Sequence, residues 1–376
     1  MIKPTLLYIG HSYHVKTRST VFLLDILRPY YQITLLNLES GTEEESLASL
    51  KGLRFDIVIC FQLLPPRATL NRYIQFTRGA WFPMYDALPA DNDPIWHDFI
   101  DFQVINFSRA GHEVTKKKGL SSRYIQYFPE PRLSNLGDTH RAFFWQRRNE
   151  IDIYTILKLV KGSNINHITL HNAVDPKCTF IPPPTDKDSQ IKITTWYSSK
   201  EELLQEMEKA ALYFAPRPKE GIGMSFLEAM SRGRCVVAPN DSTMNEYIRH
   251  GENGLLYNAS HPSPLDFSNI REMQKNCLHD IQLGYAQWKE QKYLILDWLR
   301  EPPTPNPTRL ALLKTRNKAV RCRLFGIPLI ELRYNNTSWT LGFFSTRFPL
   351  LRLYGSSQKT IMELFGLPII KITRDK

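Results

Sequence analysis

Short apolar runs alternate with amphipathic stretches almost from the first residue of this 376-residue chain, and that alternation fixes its layering. Parallel α/β layers produce such a pattern, because each strand is buried on both faces and each crossover helix covers the sheet. In the first half, strands are predicted at Thr5–Gly10, Gln32–Leu38, Asp56–Gln62, Ala80–Met84, Gln103–Ser108 and Arg123–Phe128. Helices are predicted over Ser19–Leu27, Glu43–Lys51 and Ala110–Gly119, and Pro129–Asp138 reads as a linker. A second series of strands comes after it at Ala142–Gln146, His167–His171, Lys192–Trp196, Leu212–Pro216, Cys235–Ala238 and Gly254–Tyr257. Ser198 and Ser199 each have a glutamate three residues later, two overlapping capping boxes that mark a helix start. Leu265–Leu299 reads as helical, and Glu301–Pro307, with four prolines in seven residues, breaks it.

The expected architecture is therefore α/β: a Rossmann-like domain over residues 1–132, a second over 139–300, and a basic β-repeat tail over 308–376. Two such domains joined by a short linker create a cleft, and folds of this kind take ligands at the carboxyl ends of their strands. The tail repeats an apolar, proline-bearing segment at Leu324–Ile330, Ser345–Leu351 and Leu364–Ile370, with prolines 21 and 19 residues apart. These segments read as a small repeated β appendage.

Charge separates the tail from the body. Of the net +11, residues 309–376 supply thirteen Lys/Arg against three Asp/Glu, while the first 308 residues hold 35 basic and 34 acidic side chains. A basic tail on a neutral body suits an anionic surface, either phospholipid headgroups or nucleic acid. No nucleic-acid-binding motif accompanies it, and its aromatics lie in apolar Leu-Phe-Gly contexts, so nucleic acid is not expected as a partner. A packing or oligomerisation module with a solvated charged face is the plainer alternative.

Five dispersed cysteines without paired spacing read as reduced thiols, not as a disulfide framework or a zinc site. The opening apolar run is too short for a signal-peptide core, and no run approaches the ~20 apolar residues of a membrane span. The expected location is cytoplasmic, with peripheral contact to the inner face of the membrane through the tail.

The chemistry-bearing stretch runs from Ala215 to Gly233, Ala-Pro-Arg-Pro-Lys-Glu-Gly-Ile-Gly-Met-Ser-Phe-Leu-Glu-Ala-Met-Ser-Arg-Gly. A strand leads into a loop with two glycines, and a helix begins near Met224. Glycines let backbone N–H groups approach a ligand closely, and a helix N-terminus favours negative charge, a geometry that suits a diphosphate. Glu220 lies in the loop and Glu228 about two turns along the helix, so the two carboxylates are placed to accept from different hydroxyls of one ligand. Glutamates flanking a helix more often cap it or face solvent, so the segments downstream carry the decision. A buried strand, Arg234–Pro239, is succeeded by Asn245-Glu246-Tyr247-Ile248 and the turn Gly251-Glu-Asn-Gly254-Leu-Leu-Tyr.

In that order and spacing, Glu220–Val237 and Glu246–Leu256 resemble the family-4 retaining glycosyltransferases of the GT-B fold, whose pattern pairs a Glu-x7-Glu motif with a later E-x-I-x-x-G-x-N-G-L-L. The strand–helix order extends the likeness more loosely over residues 1–300. The resemblance implies that Glu220 contacts hydroxyls of the transferred sugar and that Glu228 binds the nucleotide ribose. It places the donor diphosphate on the backbone of Gly221, Ile222, Gly223 and Met224, with Ser225 alongside.

The family also uses an arginine and a lysine early in the second domain to neutralise the departing diphosphate. Arg147 matches the arginine; the lysine is absent, leaving Arg148 or Arg217 as its replacement, while a surface ion pair with Glu150 is the plainer reading of Arg147. Asp86, after an apolar strand, is expected on the catalytic and acceptor face, with a turn cap as its alternative. His11 is a weaker acceptor-side candidate.

The implied reaction moves a sugar from a nucleoside-diphosphate sugar to a glycan or lipid-linked saccharide acceptor with retention, as in bacterial capsule or lipopolysaccharide synthesis. The sugar nucleotide is a co-substrate. No cofactor and no metal are expected, Asp91-Asn92-Asp93 being the nearest approach to an Asp-x-Asp motif. The alternative is a non-catalytic GT-B scaffold or glycan-binding partner of another glycosyltransferase. Oligomerisation is left open.

Overall fold

The computed structural model describes residues 3–39, 41–132, 135–184 and 190–306, and beyond these six strands of the tail. The chain divides into two compact units, Met1–Pro305 and Asn306–Lys376.

The first unit holds two parallel six-stranded sheets. One is built from β1 (Thr5–His11), β2 (Gln32–Leu38), β3 (Arg54–Phe61), β4 (Gln75–Phe82), β5 (Phe102–Asn106) and β6 (Ser121–Tyr124), in the order β2-β1-β3-β4-β5-β6. The other uses β7 (Asp138–Gln146), β8 (His167–Asn172), β9 (Gln190–Thr194), β10 (Ala210–Phe214), β11 (Cys235–Pro239) and β12 (Gly254–Tyr257), in the order β12-β11-β10-β7-β8-β9. Central strands are buried along their whole length, as in β5, β10 and β11, which is why they read as continuous apolar runs.

Each order contains one switch point, between β1 and β3 in the first sheet and between β7 and β10 in the second. At a switch point the connections leave in opposite directions and open a crevice at the carboxyl ends of the strands.

A single hydrophobic cluster joins the two halves. It runs from Leu6 and Tyr8 through Phe107 and Tyr127 to Phe226, Tyr247 and Trp288, and includes Ile295, Leu296 and Leu299. The last helix of the unit, Leu294–Arg300, packs against β4 and β5, and the Arg123–Glu301 ion pair at 2.8 Å fastens the chain just beyond it. Glu246 reaches in the opposite direction: its carboxylate accepts from Ser108 Oγ at 2.9 Å and from the Arg109 and Ala110 N–H groups at 2.7 and 3.1 Å, at the start of helix Arg109–Lys117.

Most differences from the sequence reading lie at element ends. β4 begins at Gln75, five residues before the predicted start, because its exposed Gln75, Thr77 and Arg78 hide the strand from an apolar pattern. β10 ends at Phe214, short of Pro216, which has no N–H to donate.

The tail strands β13 (Lys318–Leu324), β14 (Ile327–Tyr334), β15 (Ser338–Phe343), β16 (Leu351–Ser356), β17 (Lys359–Leu364) and β18 (Leu367–Thr373) form an antiparallel meander in sequence order. The first and last repeated segments each hold the end of one strand and the start of its antiparallel partner. Leu324 pairs with Ile327 and Arg323 with Pro328, as Leu364 pairs with Leu367 and Glu363 with Pro368. In the middle segment, Ser345–Pro349 and Leu350 lie outside the described residues.

Candidate active site

The carboxyl ends of both sheets face one cleft of about 440 Å³. The first half contributes Tyr13 and His14 after β1, Gln62 after β3, and Met84 and Asp86 after β4. The second contributes Trp145 and Arg147 from the end of β7, His171 from β8, the loop from Arg217 to Met224 after β10, and Glu228.

Glycine is required where the loop turns. A Cβ on Gly221 would lie 2.6 Å from Met84 Sδ and 2.9 Å from Asp86 Oδ1, so the backbone of one half meets side chains of the other with no room for a methyl group. Gly223 sits at φ 78° as the N-cap of helix Met224–Ser231, a left-handed conformation that glycine adopts without steric cost. Thr243 Oγ1 donates to the carbonyls of Glu220 and Gly221 at 2.7 and 2.8 Å, holding the loop against the next turn of chain.

Four charges interlock beside this loop. Arg147 donates to Asp175 Oδ1 from Nε at 2.9 Å and Nη2 at 2.8 Å, and to the Tyr13 hydroxyl at 3.2 Å. Arg217 donates to Asp175 Oδ2 at 2.5 Å and, across the cleft, to Asp86 Oδ2 at 2.9 Å. Burial acts to raise the Asp175 pKa, but the two guanidiniums outweigh it and hold the carboxyl below its ordinary range. Asp86 is raised, burial outweighing the pull of Arg217.

Glu220 is only 6% exposed, and its Oε1 has no hydrogen-bond partner. Burial pushes its pKa up to about 7; Arg217 opposes the shift and the Asp86 charge adds to it. A desolvated carboxylate with an unpartnered acceptor, on a residue that lines the cleft, is equipped to take a hydroxyl hydrogen bond from a ligand.

Glu228, on the helix that starts at Met224, pairs with Lys200 from the first turn of helix Lys200–Glu208. That helix is capped by Ser199, whose Oγ accepts from Glu202 N, while Glu202 reaches back to Ser198 N. Next to it stands an aromatic wall. His171 stacks on Tyr197 with ring centroids 5.1 Å apart, and Trp145 meets His171 edge-on at 5.3 Å. Burial lowers the His171 pKa to about 4, so this imidazole is neutral near pH 7.

The cleft thus brings together Glu220, Gly221, Ile222, Gly223, Met224, Ser225, Glu228, Arg147 and Asp86 among the sequence candidates. His11 and Arg148 are placed elsewhere. The His11 ring caps helix Ser12–Thr17, accepting from Tyr13 N at 3.0 Å, and does not line the cleft. Arg148, not Arg147, makes the ion pair with Glu150, at 3.1 Å.

Asp175, Lys200, His14 and the aromatic wall carry no local signal of a site in the sequence. Asp175 comes after β8 inside a run that reads locally as a strand end and turn; only the adjacency of β8 to β7 gives it a role. Among the described residues, no three His, Cys, Asp or Glu side chains are grouped to hold a metal, and no helix is long and apolar enough to cross a membrane.

Residues 190–267 match the family model described as glycosyl transferases group 1. No curated protein matches the chain in sequence. Among solved structures, sucrose-phosphate synthase from Thermosynechococcus elongatus superposes with a TM-score of 0.53 at 11% identity, covering 78% of this chain and 100% of that one. HepE from Anabaena, solved with UDP and glucose, superposes with a TM-score of 0.50 at 12% identity, covering 77% and 99%. At such identities the likeness establishes the architecture: two Rossmann-like domains in the GT-B arrangement. The family match over the loop, both glutamates and the next two strands supports a glycosyltransferase.

Proposed function

We propose that this protein transfers a glycosyl group from a nucleoside-diphosphate sugar to a hydroxyl of a glycan or lipid-linked saccharide, with retention of anomeric configuration. The observation that carries the reading is the position of Glu220. Its Oε1 is buried without a hydrogen-bond partner, at the start of a glycine turn that leads into a helix N-terminus, and Arg147 and Arg217 line the same cleft.

The reaction must stabilise an oxocarbenium-like carbon and the negative charge gathering on the leaving diphosphate. The amides of Gly221–Met224 and the helix starting at Met224 face that charge, with Arg147 and Arg217 beside them. Glu228 accepts from ribose hydroxyls, Lys200 giving way. Glu220 accepts from hydroxyls of the sugar, and Asp86 faces the acceptor, with Tyr13, His14 and Gln62 forming the opposite wall. The arginines and the helix supply the charge neutralisation, so turnover is expected to be unchanged by chelators.

Retention, and a place in capsule or lipopolysaccharide synthesis, are supported by the motif resemblance. Peripheral attachment to the inner membrane face is supported by the charge of residues 309–376, each Lys/Arg near an anionic leaflet contributing about 1 kcal/mol. Deleting the tail should release the protein from anionic vesicles in a salt-dependent assay; undiminished binding would remove that part of the reading.

The test is calorimetric titration with UDP-, GDP- and TDP-sugars without added metal, beside Glu228→Ala. Binding of one donor that the variant loses supports the reading. A folded protein that binds none of them would instead favour a non-catalytic GT-B scaffold.

A further inference from the structure

The Arg147–Asp175–Arg217 cluster is built more elaborately than a cleft wall requires. Two cations that leave the sheet from β7 and β10 are held by the two oxygens of one carboxylate that leaves it from β8. Asp175 is buried, and its own N–H donates to the Arg147 carbonyl at 2.9 Å, so the carboxylate is fixed at its base as well as at its tip. Unrestrained, two like charges this close would separate; a shared counter-charge keeps both pointing into the cleft. Arg217 lies three residues before Glu220, at the entrance to the glycine turn. Arg148, the other cation near β7, is turned to Glu150 and does not line the cleft.

We propose that Asp175 is a positioning residue that aligns Arg147 and Arg217 as one receptor for the terminal phosphate of a nucleoside diphosphate, with Arg217 as its second cation. The inference rests on the donor reading of this cleft. Its chemistry is specific. Arginine presents planar forked donors; Asp175 engages the Nε–Nη2 edge of Arg147 and Nη2 of Arg217, which restricts the directions of the remaining N–H groups. One of those directions, on Arg217, is taken by Asp86 and one, on Arg147, by the Tyr13 hydroxyl. Both partners come from the first half, so an arriving phosphate displaces cross-cleft contacts while Asp175 holds the arginines from behind.

The experiment compares a nucleoside diphosphate with its monophosphate, using UDP/UMP, GDP/GMP and TDP/TMP and taking whichever base the wild type binds. The ratio of the two dissociation constants reads the terminal phosphate alone. It should be about tenfold or more in the wild type, the effect of hydrogen bonds to a charged group. Arg147→Gln and Arg217→Gln should bring it close to one, and Arg148→Gln should leave it unchanged. Asp175→Asn is the decisive variant, because it removes a negative charge from the site. A pure charge effect would raise the ratio; loss of alignment lowers it, by about threefold or more.

Should Asp175→Asn fail to fold, Asp175→Glu keeps the charge while displacing the carboxylate by one methylene, and the ratio should fall likewise. A ratio equal to or above wild type in the folded Asp175 variant would overturn the positioning role. A ratio lost in Arg148→Gln but kept in Arg217→Gln would overturn the choice of cation. A wild type that binds nucleotides but shows no preference for the diphosphate would overturn the inference alone, whereas one that binds no nucleotide would overturn the donor reading beneath it.

Discussion

Glu246 and Arg109 lie 137 positions apart, yet the Glu246 carboxylate accepts a hydrogen bond from the Arg109 backbone N–H at 2.7 Å. With Ala110 N and Ser108 Oγ also donating, a side chain of the second half caps the first turn of a helix in the first half. Helix N-termini carry orphan donors and partial positive charge, so a carboxylate there is doubly favourable. Glu246→Ala should lower the stability of the folded chain by roughly 1–3 kcal/mol, by comparison with lost N-caps and unsatisfied donors. Urea denaturation reads this directly, and a change below about 0.5 kcal/mol would show that water replaces the carboxylate without loss.

The Glu220 carboxyl should make stability depend on pH in the direction opposite to a salt-bridged acid. Its pKa in the folded protein is raised to about 7 from an ordinary value of 4.5. The stability tied to its protonated form is fully present below pH 4.5 and is lost as pH rises through 7. Glu220→Gln should therefore be more stable than the wild type by about 2–4 kcal/mol at pH 8, with the gap closing toward pH 4.5. Denaturation curves at the two pH values decide it; an equal gap at both would mean that the carboxyl does not titrate in this range.

Ribose recognition by Glu228 predicts a difference between nucleotides that vary by one hydroxyl. The wild type should bind a ribonucleoside diphosphate about tenfold or more tightly than its 2′-deoxy analogue. Glu228→Ala should bind the two alike. If the variant keeps the discrimination, the hydroxyl is read elsewhere and the Lys200–Glu228 pair serves only to tie two helices together.

Two glycines with the same φ of 78° should respond unequally to alanine. A Cβ on Gly251 meets nothing within 4 Å, so Gly251→Ala carries only the backbone penalty, about 1 kcal/mol. At Gly223 the added atom would fall 1.8 Å from a ring carbon of the fully buried Phe226. Gly223→Ala should cost roughly 2–5 kcal/mol, strain and overpacking together, and weaken nucleotide binding as the helix start shifts. Thermal melts of the pair give the comparison; equal losses would mean that Phe226 yields freely.

What the sequence discloses depends on how local the physics is. β2 and β12 are legible to the residue because their apolar runs have sharp ends, and the Gly221–Met224 turn is legible because turn, glycines and helix start are contiguous. Asp175 is not. Its partners lie 28 and 42 positions away, and they meet it only because β8, β7 and β10 are neighbours in the sheet. His11 illustrates the converse: a polar residue at a strand end reads as a site, and in the fold its ring caps the next helix. Local chemistry does not separate Arg147 from Arg148; only the motif resemblance favours Arg147, and the structure turns that one into the cleft while Arg148 pairs with Glu150.

The helix at Leu294–Arg300 also sets an order of events during synthesis. Its Ile295, Leu296 and Leu299 belong to the same core as Leu6, Tyr8 and Ile105, and it packs on β4 and β5. A ribosome therefore releases every strand of the first sheet, and then nearly all of the second half, before the segment that completes the first half emerges. Until then the β4–β5 surface is uncovered. The first half therefore gains its full native core only after the second has been made.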